Sequence, residues 1–473
     1  MILPDKLEYW IKNSNQPIDV KLGDKSIRLE KSLRHLPNRR LTCLATWKTK
    51  TVVTKFFYGR RHERQMMKEA ETLKALLKAG LETPKLLYVD NIKGASVLVI
   101  EYIEDSISLL DWLKSNPEQV GFESVLAQTT QLMLACHQAG FKLEDPHLEN
   151  FLISNNKVFV IDAGGVNQSN KPLSIELSME NLALLYAQLP VTRDIVAREV
   201  LNKILKQTSF LELNWQQLLI KQRRWRQKKF IDKKVYRECT AYTCEKSLSR
   251  FLVAKRNEYT EDLKQALLTP DTLIENGHLL KNGNTATVAR VTIAGKLYVL
   301  KRYNIKKRMH SYLRGFIWSR AAASWRNGLL LEMLGIPTAK SYAFIEERCG
   351  PLRRRSYLLS EYIDAPQAWD VYESENFSEK DKKGWAEKIV ELFFLLKRTQ
   401  ISHGDLKAQN ILCGSQRALL IDLDGMKSSQ TYRGFLKQFR KDITRFYISW
   451  PNKWKMNPYF IKYEKMLSNS KID

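Results

Sequence analysis

No run in this sequence approaches the roughly 18 uncharged apolar residues that a membrane-spanning helix needs. Its first residues, Met1 to Asn15, carry Asp5, Lys6 and Glu8 where a secretion signal would be apolar. These absences make a cytosolic location the expectation. The six cysteines, Cys43, Cys136, Cys239, Cys244, Cys349 and Cys413, form no CxxC pair and have no histidine at zinc spacing. Neither a metal knuckle nor a disulfide framework is indicated, and reduced thiols are expected. There is no RNP, KH or zinc-knuckle pattern, so nucleic acid is an unlikely partner, and neither half has a GxGxxG loop to cover phosphates. Acid is also scarce: 51 Asp and Glu stand against 77 Lys and Arg, for a net charge of +26. That excess predicts a polyanionic partner, and charge alone does not choose among phospholipid, phosphorylated glycolipid and nucleic acid.

What the chain does have is apolar content enough for real cores, 44% of 473 residues, and an internal repeat. Val97-Leu98-Val99-Ile100-Glu101-Tyr102-Ile103-Glu104 returns as Tyr357-Leu358-Leu359-Ser360-Glu361-Tyr362-Ile363-Asp364, 260 residues later. The same offset relates Asp145 to Asp405, Asn150 to Asn410, Ile161-Asp162 to Ile421-Asp422, and Gly165 to Gly425. Upstream, Gly80 to Pro84 matches Gly335-Ile336-Pro337, and Lys55 matches Lys301. Apolar, β-branched runs at Lys50 to Phe57 and Thr285 to Tyr303 predict hairpin strands, followed by helices over about Arg64 to Ala79 and Arg320 to Leu334. The expected organisation is a first domain over 1–235, a joint over 236–250 and a second domain over 251–473.

The repeated polar positions have a chemical logic. Phosphoryl transfer requires a triphosphate to be held, its charge neutralised and an acceptor hydroxyl aligned. Lys301 ends an apolar strand and would aim at ATP phosphates. In His403-Gly404-Asp405-Leu406-Lys407-Ala408-Gln409-Asn410, Asp405 would take the acceptor's proton and Lys407 would neutralise the transferring phosphate. Asn410 and Asp422, at the end of the next apolar strand, would hold Mg2+. Lys55, Asp145, Asn150 and Asp162 repeat the set, with Leu143 and His147 where the second half has His403 and Lys407. Glu69, with Glu71 as its rival, is the candidate partner of Lys55. In the second half Ser324 takes that place, and the next helix acid is Glu332. Glu101 and Glu361, closing the strand of the repeat, join the predicted nucleotide-binding residues. So do Gly283 and Asn284 in Lys281-Asn282-Gly283-Asn284-Thr285, which would cover phosphates through backbone N–H groups unless it is an ordinary hairpin turn.

Only 51 residues follow Asp422 and about 74 separate Asp162 from the joint, too few for the large helical lobe of a protein kinase. No Ala-Pro-Glu follows either Asp, and Gly404 stands where protein kinases usually carry an Arg that anchors a phosphorylated loop. Together, Val299 to Asn304, Ser324-Trp325-Arg326-Asn327, Gly335 to Thr338, His403 to Asn410 and Ile421-Asp422-Leu423-Asp424-Gly425 resemble the lipopolysaccharide kinase family, which includes heptose and Kdo kinases. The first half resembles it through Lys55, Glu69, Gly80 to Pro84 and Asp145 to Asp162. The resemblance implies an α+β fold of two tandem bilobal protein-kinase-like domains, each with a small antiparallel β-rich N-lobe and a reduced helical C-lobe. It also implies ATP and Mg2+, and phosphorylation of a lipopolysaccharide core sugar at the inner face of a Gram-negative cytoplasmic membrane. Lys221 to Lys234, with eight Lys or Arg against one acid and with Trp225 and Phe230, and Lys301 to Arg320, with Tyr303, Tyr312, Phe316 and Trp318, are candidates for an anionic membrane or glycolipid surface. A small atypical protein kinase and a pseudokinase scaffold are the competing readings.

Overall fold

The computed structural model describes residues 3–13, 16–23, 25–116, 120–205, 214–304, 318–428, 430–450, 458–461 and 463. The chain forms two compact units, Met1–Gln188 with Ile195–Leu219, and Leu189–Asp194 with Ile220–Asp473.

In the first unit, β1 (Ile18–Leu22), β2 (Lys25–Leu36), β3 (Arg40–Trp47), β4 (Lys50–Tyr58), β5 (Leu86–Ile92) and β6 (Ala95–Glu101) make an antiparallel sheet in the order β1-β2-β3-β4-β6-β5. Strict alternation explains β3: Leu41, Cys43, Ala45 and Trp47 are buried and the residues between them are half-covered. Between β4 and β5 runs α1 (His62–Lys78), which buries Met66, Glu69, Ala70, Leu73 and Leu76, spaced by three and four along one helical face. Helices α2 (Phe122–Gln138) and α3 (Ile175–Tyr186) follow, with the short hairpin Phe151–Ser154 and Lys157–Val160 between them.

The second unit repeats this plan with an added hairpin and, among the described residues, without a counterpart of β1. Strands β7 (Tyr242–Lys246), β8 (Arg250–Lys255), β9 (His278–Asn282), β10 (Ala286–Ile293), β11 (Lys296–Tyr303), β12 (Ser341–Cys349) and β13 (Leu352–Glu361) lie in the order β7-β8-β12-β13-β11-β10-β9. The added hairpin β7–β8 is made largely of residues read from sequence as a joint. Residues 220–235, expected with the first domain, also pack into this unit. Ile231 and Val235 sit in its core beside Trp325, whose Nε1 donates to Val235 O at 2.8 Å, and Tyr236 stacks on Trp318 at 4.2 Å. The boundary was misread because the basic run hides apolar residues on its covered side.

Helix α4 (Arg320–Leu334) starts at Ser319, whose side chain accepts from Ala322 N at 3.1 Å, and stops at Gly335 with φ +68°. Below the sheet, α5 (Glu379–Thr399) and α6 (Tyr432–Ile448) pack through Phe393 and Phe446, whose rings meet edge to face at 5.0 Å. One residue on the apolar face of α6, otherwise Phe435, Phe439 and Phe446, is Asp442. It matters for the site.

Candidate active site

Hydrogen bonds set the register of the repeat where each sheet meets the loop-bearing strands. Thr83 Oγ1 donates to Val160 O and Thr338 Oγ1 to Leu420 O, each at 2.8 Å. Val160 N donates to Glu82 O and Leu420 N to Pro337 O, each at 3.0 Å. Glu82 therefore corresponds to Pro337, and the two prolines paired in the sequence comparison are not equivalent.

In the first unit, β4 directs Lys55 to Glu69 on α1, and the two side chains form a close, buried ion pair. Arg40 Nη1 lies 3.6 Å from the other Glu69 oxygen, while Glu71 is exposed. The Glu69 carboxylate also packs against the backbone just after Asp162: a Cβ on Gly164 would come within 2.8 Å of Glu69 Oε2. Asn150 Nδ2 donates to Asp145 O at 3.2 Å, and Ile161 N to Asn150 O at 3.0 Å, so the loop and the Asp162 strand are tied together. Leu143 is buried, and its carbonyl accepts from Asn181 of α3 at 2.7 Å.

In the second unit, a cleft of about 750 Å³ is lined by Lys301, Arg320, Ser324, Glu361, Lys407, Asn410 and Asp422, with Val288, Leu358, Ile363 and Leu412 as apolar walls. Lys301 Nζ lies 2.5 Å from Asp422 Oδ1. Burial opposes the lysine's charge, but Tyr303 and Asp422 outweigh it and hold the ammonium above its ordinary value. Burial likewise opposes the charge on Asp422; Lys301, Arg320 and His403 overcome it and keep the carboxyl below its ordinary range. Ser324 does not replace Glu69 as a partner for the lysine; its hydroxyl pairs with Tyr303 Oη at 2.8 Å. Glu332 is engaged elsewhere, with Lys255 at 2.5 Å and with Ser341 N at 3.0 Å.

Asp405 sits between two cations, Lys407 Nζ at 3.3 Å from Oδ2 and Arg445 Nε at 2.8 Å from Oδ1. The Arg445 contact is electrostatic, since Oδ1 is buried with no hydrogen bond in line. Asn410 Nδ2 donates to Asp405 O at 2.8 Å. His403 is fully buried and bonds Ile421 O through Nε2 at 3.0 Å, its burial holding the imidazole below its ordinary pKa. One residue that sequence reading missed, Asp442, holds this loop, and Gly404 shapes it. Asp442 accepts from His403 N at 2.7 Å and Gly404 N at 2.9 Å, and also from Leu406 N; burial pushes its carboxyl up to about 6 despite those bonds. Gly404 has φ +83°, and a Cβ there would stand 2.3 Å from Gly425 O. An arginine at that position is sterically excluded.

Other predicted residues fall differently. Glu101 and Glu361 turn their carboxylates back onto the neighbouring strand, accepting from Lys85 N at 3.2 Å and Lys340 N at 3.3 Å. Gly283 and Asn284 do not line the cleft, although Lys281 and Thr285 on either side do; Gly283 N bonds Ala286 O at 3.1 Å in a turn between β9 and β10. In the basic run 221–234, Arg223 is buried against Asp194 at 2.6 Å and Arg224 bonds Gln400 at 2.7 Å, so the lysines and Trp225 carry its exposed face. Most of the second basic segment, residues 305–317 with Tyr312 and Phe316, lies outside the described residues.

The sequence profile of the lipopolysaccharide kinase (Kdo/WaaP) family matches residues 50–219 and, a second time, residues 271–454. The chain belongs to that family. The two matched segments agree with two tandem copies, the antiparallel sheets and helices with the expected α+β kinase-like fold, and the chain is a kinase of lipopolysaccharide core biosynthesis. No curated protein matches this family member. Among solved structures it is similar to one described as WaaP in complex with acyl carrier protein, at 17% identity, a TM-score of 0.32, and coverage of 44% of this chain and 90% of that one. Among the described residues, no helix of this kinase is long and apolar enough to cross a membrane, and no three His, Cys, Asp or Glu side chains gather as a metal site.

Proposed function

We propose that the second unit is the phosphotransfer site, moving a phosphoryl group from ATP to a sugar hydroxyl of the lipopolysaccharide inner core at the inner face of the cytoplasmic membrane. The observation that carries this reading is the shared cleft: Lys301, Asn410, Asp422 and Lys407 line one cavity, and Asn410 and Lys407 both contact Asp405. Magnesium fits the donor set, because that ion is commonly held by one or two carboxylates together with substrate phosphates rather than by a protein cage of acids. Asp422 and the amide oxygen of Asn410 would hold it, since Asn410 Nδ2 is already committed to Asp405. When bound, magnesium would neutralise charge on the phosphate oxygens.

Lys301 orients the phosphates from a rigid strand, and Asp405 accepts the acceptor hydroxyl's proton. Lys407 and Arg445 flank its carboxylate. Lys407 balances charge on the group in transfer. Glu361, at the end of β13, lines the same cleft and would meet the nucleotide base. The lysines around Trp225 support an anionic membrane or glycolipid surface as partner. We assign the first unit a weaker or supporting role, with Lys55 and Glu69 holding a nucleotide beside Asn150 and Asp162, and Asp145 in the place of the base. Leu143 in place of a loop histidine and the lack of a lysine at His147 support that ranking.

Phosphate incorporation into core oligosaccharide tests these roles. Asp405→Ala is expected to abolish it and Asp145→Ala to lower it less; equal loss, or none, overturns the assignment.

A further inference from the structure

We propose that Arg320 is a second phosphate-binding cation of the second unit, which with Lys301 grips the nucleotide phosphates in place of the lysine and helix-carboxylate pair seen in the first unit. This rests on the reading of the cleft as a nucleotide site. Helix α4 offers Lys301 no acid: Ser324 is taken by Tyr303, and Glu332 by Lys255 and Ser341 N. At its first turn the helix presents a cation instead. Arg320 lines the cleft together with Lys301 and Asp422, and its guanidinium forms a close ion pair with Asp424.

The ring of Tyr303 joins the two cations. Lys301 Nζ and Arg320 Cζ each lie 4.9 Å from its centroid, within cation–π range, and its hydroxyl is pinned by Ser324. The carboxylates of Asp422 and Asp424, two residues apart, face Lys301 and Arg320 respectively. A triphosphate brings more negative charge than either carboxylate, and a guanidinium meets phosphate oxygens with two parallel N–H groups. The Arg320 side chain is 47% exposed, against 14% for Lys301, so it can turn from Asp424 to a phosphate with little repacking. The first unit has the opposite electrostatics, a buried glutamate beside its strand lysine.

The test is metal-free calorimetric titration with ADP and with adenosine, in the full chain carrying Lys55→Met with Glu69→Leu, which removes the buried pair together, so that the second unit reports alone. Arg320→Gln is expected to weaken ADP binding about 10- to 100-fold, the range for one charge-assisted pair, and to leave adenosine binding unchanged. Asp424→Asn, which keeps the arginine and removes its partner, is expected to hold or tighten ADP affinity. ADP binding unmoved by Arg320→Gln overturns the grip, as does an equal loss from Asp424→Asn, which would make the Arg320–Asp424 pair merely structural. Failure of ADP to bind the folded Lys55→Met, Glu69→Leu chain at all overturns the nucleotide reading itself.

Discussion

Replacing Asp442 by Asn separates stability from turnover in a way that the structure makes quantitative. The side chain is 3% exposed and accepts backbone N–H groups from His403, Gly404 and Leu406. Burial pushes its carboxyl up to about 6. Against an ordinary value near 3.9, keeping it ionised at pH 7 weighs about 3 kcal/mol against the folded state. An asparagine carries no charge to bury but gives up one acceptor oxygen, stranding at least one N–H for about 1–3 kcal/mol. The two effects nearly cancel, so Asp442→Asn should unfold in urea within about 2 kcal/mol of the parent. Turnover should fall far more, on the order of 100-fold, because the backbone that aims Asp405 is no longer held. The pH dependence gives the sign. With the folded value above the unfolded one, the native state binds the extra proton, so the parent's stability relative to Asp442→Asn is greatest below about pH 4 and declines as pH rises through about 6. Parent-like turnover in the asparagine variant, or a stability difference flat over that window, would refute the reasoning.

The buried pair of the first unit makes a second case. Lys55→Met leaves Glu69, 1% exposed, with only Arg40 at 3.6 Å, and should destabilise that unit by about 3–5 kcal/mol, whereas Lys55→Met with Glu69→Leu should recover much of the loss in urea unfolding. Gly404→Ala must place a Cβ 2.3 Å from Gly425 O at φ +83°, so a loss above about 2 kcal/mol and of phosphate incorporation is expected; a parent-like melting temperature with full activity speaks against the contact. Gly335→Ala puts its Cβ 2.5 Å from Pro190 Cβ at φ +68° and should lower the melting temperature without touching the cleft residues.

Much of this was legible because the chemistry is local. Asp405 and Asn410 are five residues apart on one loop, and an apolar strand announces Asp422, so spacing alone singles them out as candidates. Glu69 was legible for a similar reason, as an acid on the inward face of a helix that follows the strand of Lys55. The partner of Lys301 was not, since it lies 121 residues away and had been read as a metal ligand. Asp442 did leave a signal. In Phe435-Leu436-Lys437-Gln438-Phe439-Arg440-Lys441-Asp442-Ile443-Thr444-Arg445-Phe446 it falls on the stripe of the three phenylalanines, where an acid has to find buried donors. The domain boundary failed for a different reason. A basic, aromatic run reads as a surface segment at the end of the first domain, yet Ile231 and Val235 bury one side of it, and nothing local reveals that the next hairpin will extend a sheet.

The bare main chain at Gly404 and Gly425 has a consequence for control. In enzymes that are toggled by a covalent mark, a side chain at this place reads the mark and shifts one loop against the other. Here peptide groups of the two loops abut with no side chain to serve as a lever, so the segments that carry Asp405 and Asp422, the proposed base and metal ligand, meet backbone to backbone. On those proposed roles, output would follow the arrival of acceptor and nucleotide rather than an on–off state of the loops.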